Sequence, residues 1–264
     1  MSEIGIPEWS KQLPWGVRIE WGLAGARALG PDSAALVVVD VLSFTTSVSV
    51  AVDAGTRVLP YPSRNETAAT FAADHDAELA VGRTAVSAAR PWSLSPAALR
   101  RAPAPARLVL PSPNGSAISA AVGGVPVLAA CLRNAAAVAD WIVEQGWGTA
   151  ERPISVIAAG EHWPGQAVLR PALEDWFGAA AVVSALARLG AGPLSPEASA
   201  AKTMYDAIDD VPGLITQCAS GRELADIGFA DDVAIAVEID GSQVVPLLSD
   251  GAFSDARGRD GGQL

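Results

Sequence analysis

Lysine is nearly absent: Lys11 and Lys202 are the only two in the chain. Basic residues number 18 against 29 acidic ones, for a net charge of −11, and no basic stripe runs along the sequence. That balance excludes nucleic acid and an anionic membrane as partners. It does not exclude a small phosphorylated acid, because a divalent cation reconciles acidic protein with acidic ligand. Cysteine is scarce too. Cys131 and Cys218 are too few for a disulfide framework and too far apart for a zinc knuckle, so both read as buried free thiols. No apolar run reaches the ~18–20 residues of a membrane span. The start, Met1-Ser2-Glu3-Ile4-Gly5, lacks a basic region followed by an apolar stretch, so the expected location is the cytoplasm. Neither a Walker A pattern nor a Gly-x-Gly-x-x-Gly run occurs, which argues against a nucleotide.

What is present is apolar. Half of the residues are hydrophobic and the mean hydropathy is +0.28. Such a chain buries a substantial core as one domain over residues 1–250, or as two halves packed together near residue 120. A Gly/Asp/Arg-rich tail at 251–264 reads as disordered. Residues 1–33 read as irregular apart from an edge strand at Val17–Trp21.

Four times an apolar strand runs through a short polar loop into an Ala/Val-rich helix. The strands are Leu36–Leu42, Arg107–Leu110, Pro126–Ala130 and Ile154–Ala158. Short, β-branched, uniformly apolar runs suit a sheet covered on both faces. The expected fold is therefore α/β, a three-layer α/β/α arrangement with a largely parallel sheet. A C-terminal hairpin closes it, formed by Val233–Glu238 and Gln243–Leu247 around Asp240-Gly241. In a parallel sheet the carboxyl ends share one edge, and helices starting there aim N–H groups and positive dipole ends at it. The four loops thus predict one composite, anion-seeking site.

Asp40 stands in the run Val37-Val38-Val39-Asp40-Val41-Leu42. A carboxylate at the end of a buried strand is costly unless paired or metal-bound. Thr45 and Thr46 open the next helix as caps that can also face a ligand. Ser112-Pro113-Asn114-Gly115-Ser116 has the character of a phosphate loop: Gly115 lets the backbone approach, while Asn114 and Ser116 donate. It equally suits an Asn-Gly turn. Arg133-Asn134 offers a guanidinium that forks onto a phosphate or sulfonate, or a surface ion pair. Glu174-Asp175 begins the fourth helix. Together with Asp40 these acids supply hard oxygens of the kind Mg²⁺ prefers. His162, in the long loop before them, is either a proton donor to a leaving group or a solvent-facing residue.

These loops, in this order, resemble the 2-phosphosulpholactate phosphatase family of coenzyme M biosynthesis. The carrying segments are Val39 through Thr46, Ser112 through Ser116, Leu132-Arg133-Asn134-Ala135, and Ala159-Gly160 on to Leu173-Glu174-Asp175. Ser220 through Leu224 and Val245-Pro246 are similar too. The resemblance implies an α/β/α fold and Mg²⁺-dependent hydrolysis of a phosphate ester on a small sulfonated or carboxylated hydroxy acid. Asp40 and Glu174 would be catalytic, and Asp40, Glu174 and Asp175 would hold the metal. Thr45, Thr46, Asn114, Gly115, Ser116, Arg133 and Asn134 would hold the substrate, and Arg83 is a further candidate of this chain's own. Water or Asp40 itself would be the nucleophile, and a homodimer is compatible with the pattern.

Two positions depart from the family. Ser43 stands where arginine is usual, and Arg83 follows Gly82 where glutamate is usual. Three readings follow: Arg83 supplies the missing positive charge from another loop, the substrate is a different phosphorylated acid, or the chain binds such an acid without turning it over.

Overall fold

A computed structural model describes residues 6–258, except for 64 and 122. The strands are β1 (Val17–Trp21), β2 (Ala35–Val39), β3 (Arg57–Tyr61), β4 (Glu78–Leu79), β5 (Arg107–Pro111), β6 (Val127–Ala130) and β7 (Ile154–Ala158); β1, β5, β6 and β7 lie where the sequence reading put strands, while β2 ends at Val39, short of the expected Leu42. A short ribbon of β8 (Glu161–His162) and β9 (Leu169–Arg170) comes next, and β10 (Pro246–Ser249) with β11 (Ala252–Asp255) closes the chain.

Nine strands form one sheet in the order β1-β7-β2-β6-β10-β11-β3-β5-β4. The neighbours among β1, β7, β2 and β6 are parallel, as are those among β3, β5 and β4. Three successive antiparallel pairings, β6 with β10, β10 with β11 and β11 with β3, join the two blocks. An odd number of reversals means that the blocks run in opposite senses. The expectation of a single carboxyl edge is corrected here. The C-terminal hairpin is inserted between two parallel blocks rather than appended to one.

The β strands alternate their side chains between two layers, as period-2 geometry demands. Ala35, Val37 and Val39 of β2 enter one core, with Val182 and Leu186 of helix Leu173–Arg188. Leu36 and Val38 enter the other, with Val48 of helix Phe44–Asp53 and Leu29 of helix Gly22–Leu29. Each such fully buried Val or Leu contributes roughly 1.5–3 kcal/mol relative to exposure. The three-layer α/β/α arrangement is thus present.

Other local readings need correction. Gly22–Leu29 is a helix within the stretch expected to be irregular. Ala230–Ala236 is also helical, so the first arm of the expected hairpin is not a strand; the hairpin lies further on, at β10 and β11. The tail read as disordered begins with β11, whose Phe253 is wholly buried and pairs with Val58. Residues 259–264 of that tail lie outside the described residues. Cys131 and Cys218 are free and buried, as expected. Among the described residues no helix is long and apolar enough to cross a membrane.

Candidate active site

Asp40 follows β2 directly, and its neighbours close a tight turn around it. Thr45 Oγ1 accepts the Asp40 N–H at 2.9 Å and donates to the Asp40 carbonyl at 2.7 Å. The Asp40 carboxylate then takes two backbone N–H groups. Phe44 N donates to Oδ1 at 3.0 Å, and Gly115 N donates to Oδ2 at 3.0 Å. Asp40 therefore sits at the starts of two helices, Phe44–Asp53 and Gly115–Ala121, where a negative charge is favoured. A side chain at Gly115 would press on the Phe44 ring and bring its Cβ to 2.8 Å from Asp40 Oδ2. Glycine is required for this close approach. Burial is the largest influence on Asp40 and raises its pKa. The two N–H donors lower it, nearby Glu174 raises it and nearby Arg83 lowers it.

In front of Asp40 lies a cavity of about 440 Å³, also lined by Ser43, Arg83, Ser112, Asn114 and Glu161. Loops from both parallel blocks meet here, those after β2 and β7 from one and that after β5 from the other. Arg83 is the basic group of the cavity. Its Nη2 donates to Ser43 Oγ at 2.6 Å, and its Nε donates to Asp232 Oδ2 at 3.3 Å. Asp232 is itself buried, with Oδ1 accepting from Ser95 Oγ at 2.5 Å and Ala97 N at 3.1 Å. The guanidinium also lies over the Phe229 ring at 5.6 Å. Two residues that break the family pattern thus touch one another.

Glu161 is the residue that the sequence reading passed over. Its carboxylate accepts from Asn114 Nδ2 at 3.0 Å. Burial, followed by the nearby Asp40 charge, pushes its pKa up to about 7. Nothing local to Ala159-Gly160-Glu161 marks it. The only hint was an acid near the carboxyl end of a strand already expected to reach the site. Its neighbour His162 meets the same Asn114 side chain. His162 Nδ1 lies 3.1 Å from Asn114 Oδ1, so the histidine is exposed and held from that side.

Asp175 is placed differently from its expected role. Its Oδ1 accepts from Val41 N at 2.7 Å and its Oδ2 from Gly160 N at 2.8 Å. It ties the loop after β2 to the loop after β7, and burial together with Asp40 and Glu174 raises its pKa well above the usual carboxylate range. Glu174 is 1% exposed and accepts from the Cys218 thiol at 3.3 Å. Burial and that carboxylate push Cys218 up to about 11.

Several expected ligand groups face inward instead. Thr45 and Thr46 are fully buried, and Thr46 Oγ1 donates to the Val41 carbonyl at 2.8 Å. Ser116 Oγ donates to the Leu110 carbonyl at 3.1 Å. Asn134 Oδ1 accepts from Cys131 N at 2.8 Å, and its Nδ2 donates to the carbonyls of Ala129 and Val244. Arg133 is 3% exposed and donates to Glu238, Ser49 and Asp53 at 3.1, 2.8 and 3.2 Å. Its charge is paired with two partly exposed acids, so of the two readings the sequence offered, an anion fork or an ion pair, this structure shows the ion pair. Asn114 does reach the cavity, and Gly115 contributes through its N–H to Asp40.

A model of the 2-phosphosulpholactate phosphatase family matches residues 27–251. The chain belongs to this family. Membership makes it a phosphatase, a phosphoric monoester hydrolase, and ties it to coenzyme M biosynthesis. No curated protein matches the chain in a sequence search.

The family also points to a divalent metal cofactor. Among the described residues, no three His, Cys, Asp or Glu side chains group into a cage able to hold a metal by themselves. The three-carboxylate cage expected of Asp40, Glu174 and Asp175 is therefore not formed. The donor chemistry still fits a hard dication. Asp40, Glu161, Glu174 and Asp175 offer only oxygens, and burial, with repulsion among these acids added to it, raises the pKa values of Asp40, Glu161 and Asp175.

Proposed function

We propose that this chain is a Mg²⁺-dependent phosphatase acting on the phosphate monoester of a small sulfonated or carboxylated hydroxy acid, with 2-phosphosulpholactate the first candidate. One observation carries the reading: a single cavity joins a buried carboxylate at two helix starts, a positioned guanidinium and an acid with a pKa near neutrality. Mg²⁺ is commonly held by one or two carboxylates plus substrate phosphate, and keeps several waters. Asp40, with Glu174 behind it, suits that mode. Bound there, the ion would neutralise phosphate charge and lower the pKa of a bound water.

The chain's own groups account for the remaining steps. Arg83 grips an anionic oxygen of the substrate, with Asp232 and Ser43 fixing the guanidinium so that little order is lost on binding. Asn114 and Ser112 donate hydrogen bonds to the phosphoryl group, where preorganised donors act on developing charge. Glu161, protonated at and below about pH 7, gives a proton to the departing alkoxide oxygen. Asp40 either orients the attacking water or attacks phosphorus itself.

A binding protein on the same scaffold would share the cavity but release no phosphate. The test is phosphate release from 2-phosphosulpholactate and from 2-phospholactate, with and without Mg²⁺. The proposal expects Mg²⁺-dependent release from at least one of them. Tight binding of both without release would support the non-catalytic reading.

A further inference from the structure

A second cavity, of about 370 Å³, lies on the other side of the Pro113–Asn114 wall. It is more apolar than the first. Trp21, Leu23, Ile118 and Leu169 give it apolar walls, and its one formally charged side chain is Arg27. Arg27 is exposed and has no ion-pair partner among the described residues. The shape of the cavity is set by the backbone. Gly22 has a φ of +60°, and a Cβ there would come to 3.3 Å from Leu169 Cδ1. An apolar pocket of a few hundred Å³ with a few convergent polar groups is the usual form of a small-molecule site.

The two cavities are linked by one side chain. Asn114 donates to Glu161, which lines the polar cavity, and contacts His162, which lines the apolar one. Adjacent residues of β8 thus serve opposite sides of the same wall. A chamber holding Asp40, Arg83 and Glu161 stands beside a more apolar chamber with Arg27 in its lining.

We propose that the second cavity binds an organic acid with an apolar body, its anionic group on Arg27 and its body against Trp21, Ile118 and Leu169. The inference rests on the phosphatase reading only for the use to which the site is put. The occupant is either the alcohol portion of a phosphate ester whose phosphate sits in the polar cavity, or a separate molecule felt there through Asn114.

The probe is 2-naphthalenesulfonate, titrated calorimetrically into the full chain. The expected result is 1:1 binding, weakened by roughly 10- to 150-fold in Arg27→Gln, the loss of one charge-assisted contact. Ala117→Trp, at a half-buried position on the cavity wall, should weaken it by at least about tenfold by filling the space. Unchanged melting temperatures show that both variants fold. Two kinetic arms separate the sources. If the occupant is the alcohol portion, the probe competes with 2-naphthyl phosphate hydrolysis, and Ala117→Trp raises KM for that ester but not for 2-phospholactate. If it is a separate molecule, inhibition is non-competitive. Either pattern supports the site. No binding of the probe, or binding that neither variant alters, overturns it. Probe binding in a chain that hydrolyses no phosphate ester would keep this site and remove the phosphatase reading instead.

Discussion

The Arg83 guanidinium donates to the hydroxyl of Ser43 at 2.6 Å, across 40 residues of sequence. The family pattern places an arginine at the serine position and a glutamate at the arginine position. Contact between the two departures means that one positive charge reaches the same part of the cavity from a different loop. Asp232 holds that guanidinium at 3.3 Å from a buried position, so the arginine cannot simply swing into solvent without leaving an acid unpaired.

Replacing Arg83 by alanine should weaken binding of a phosphorylated hydroxy acid by roughly 10- to 150-fold, from about 1.5–3 kcal/mol for a charge-assisted hydrogen bond. Ser43→Arg introduced into the Arg83→Ala protein should restore part of it. Titration of all four proteins closes a double-mutant cycle. Additive effects would assign Arg83 to the Asp232 contact alone.

The pH dependence of stability has a definite sign. Glu161 has a folded-state pKa of about 7, above its ordinary value of 4.5. The native state therefore holds a proton that the unfolded state has already released in this interval, and stability falls as pH rises from about 4.5 to about 7. Asp40, raised by burial and by Glu174, and Asp175, raised by burial and by Asp40 and Glu174, act in the same direction. Glu161→Gln should melt higher than the wild type at pH 8 and close to it at pH 4.5. Equal melting temperatures at pH 8 would place Glu161 in water.

Asp175 is expected to matter for the fold before it matters for chemistry. Asp175→Ala strands the N–H groups of Val41 and Gly160, at about 1–3 kcal/mol each when buried. Denaturant unfolding should show a loss of roughly 2–6 kcal/mol, most of it persisting without any metal. A loss seen only in the presence of Mg²⁺ would make Asp175 a metal ligand after all.

Much of this architecture is legible in the sequence. The uniformly apolar runs that became β2, β5, β6 and β7 need both faces covered, and a lone Asp40 beyond Val39 signals a site. The reversal between the two parallel blocks is not legible. It depends on β11, whose Ala252 and Phe253 are outvoted by Gly, Asp and Arg around them until β3 and β10 supply hydrogen-bond partners. Which of its two readings Arg133 takes was not legible for the same reason. Ser49, Asp53 and Glu238, which consume its donors, lie 84, 80 and 105 residues away. Glu161 needed the burial and the Asp40 charge that only the folded chain provides.

Mg²⁺ should stabilise the native protein by mass action, by about 2.7 kcal/mol at a concentration 100 times its Kd. Asp40→Asn should abolish that rise. The variant also disturbs the N–H contacts from Phe44 and Gly115, so the metal-dependent difference in melting temperature is the quantity to compare, not its absolute value. An equal Mg²⁺ response in both proteins would move the metal elsewhere.

The central claim is that the cavity in front of Asp40 is where a phosphate ester is cleaved. The most direct measurement is the Mg²⁺-dependent kcat for phosphate release from 2-phosphosulpholactate by the wild type and by Asp40→Asn, each shown to be folded. The account predicts turnover by the wild type and a fall of at least about 10²-fold in the variant, the scale of losing one preorganised charge-stabilising group. Undiminished kcat in Asp40→Asn would contradict it.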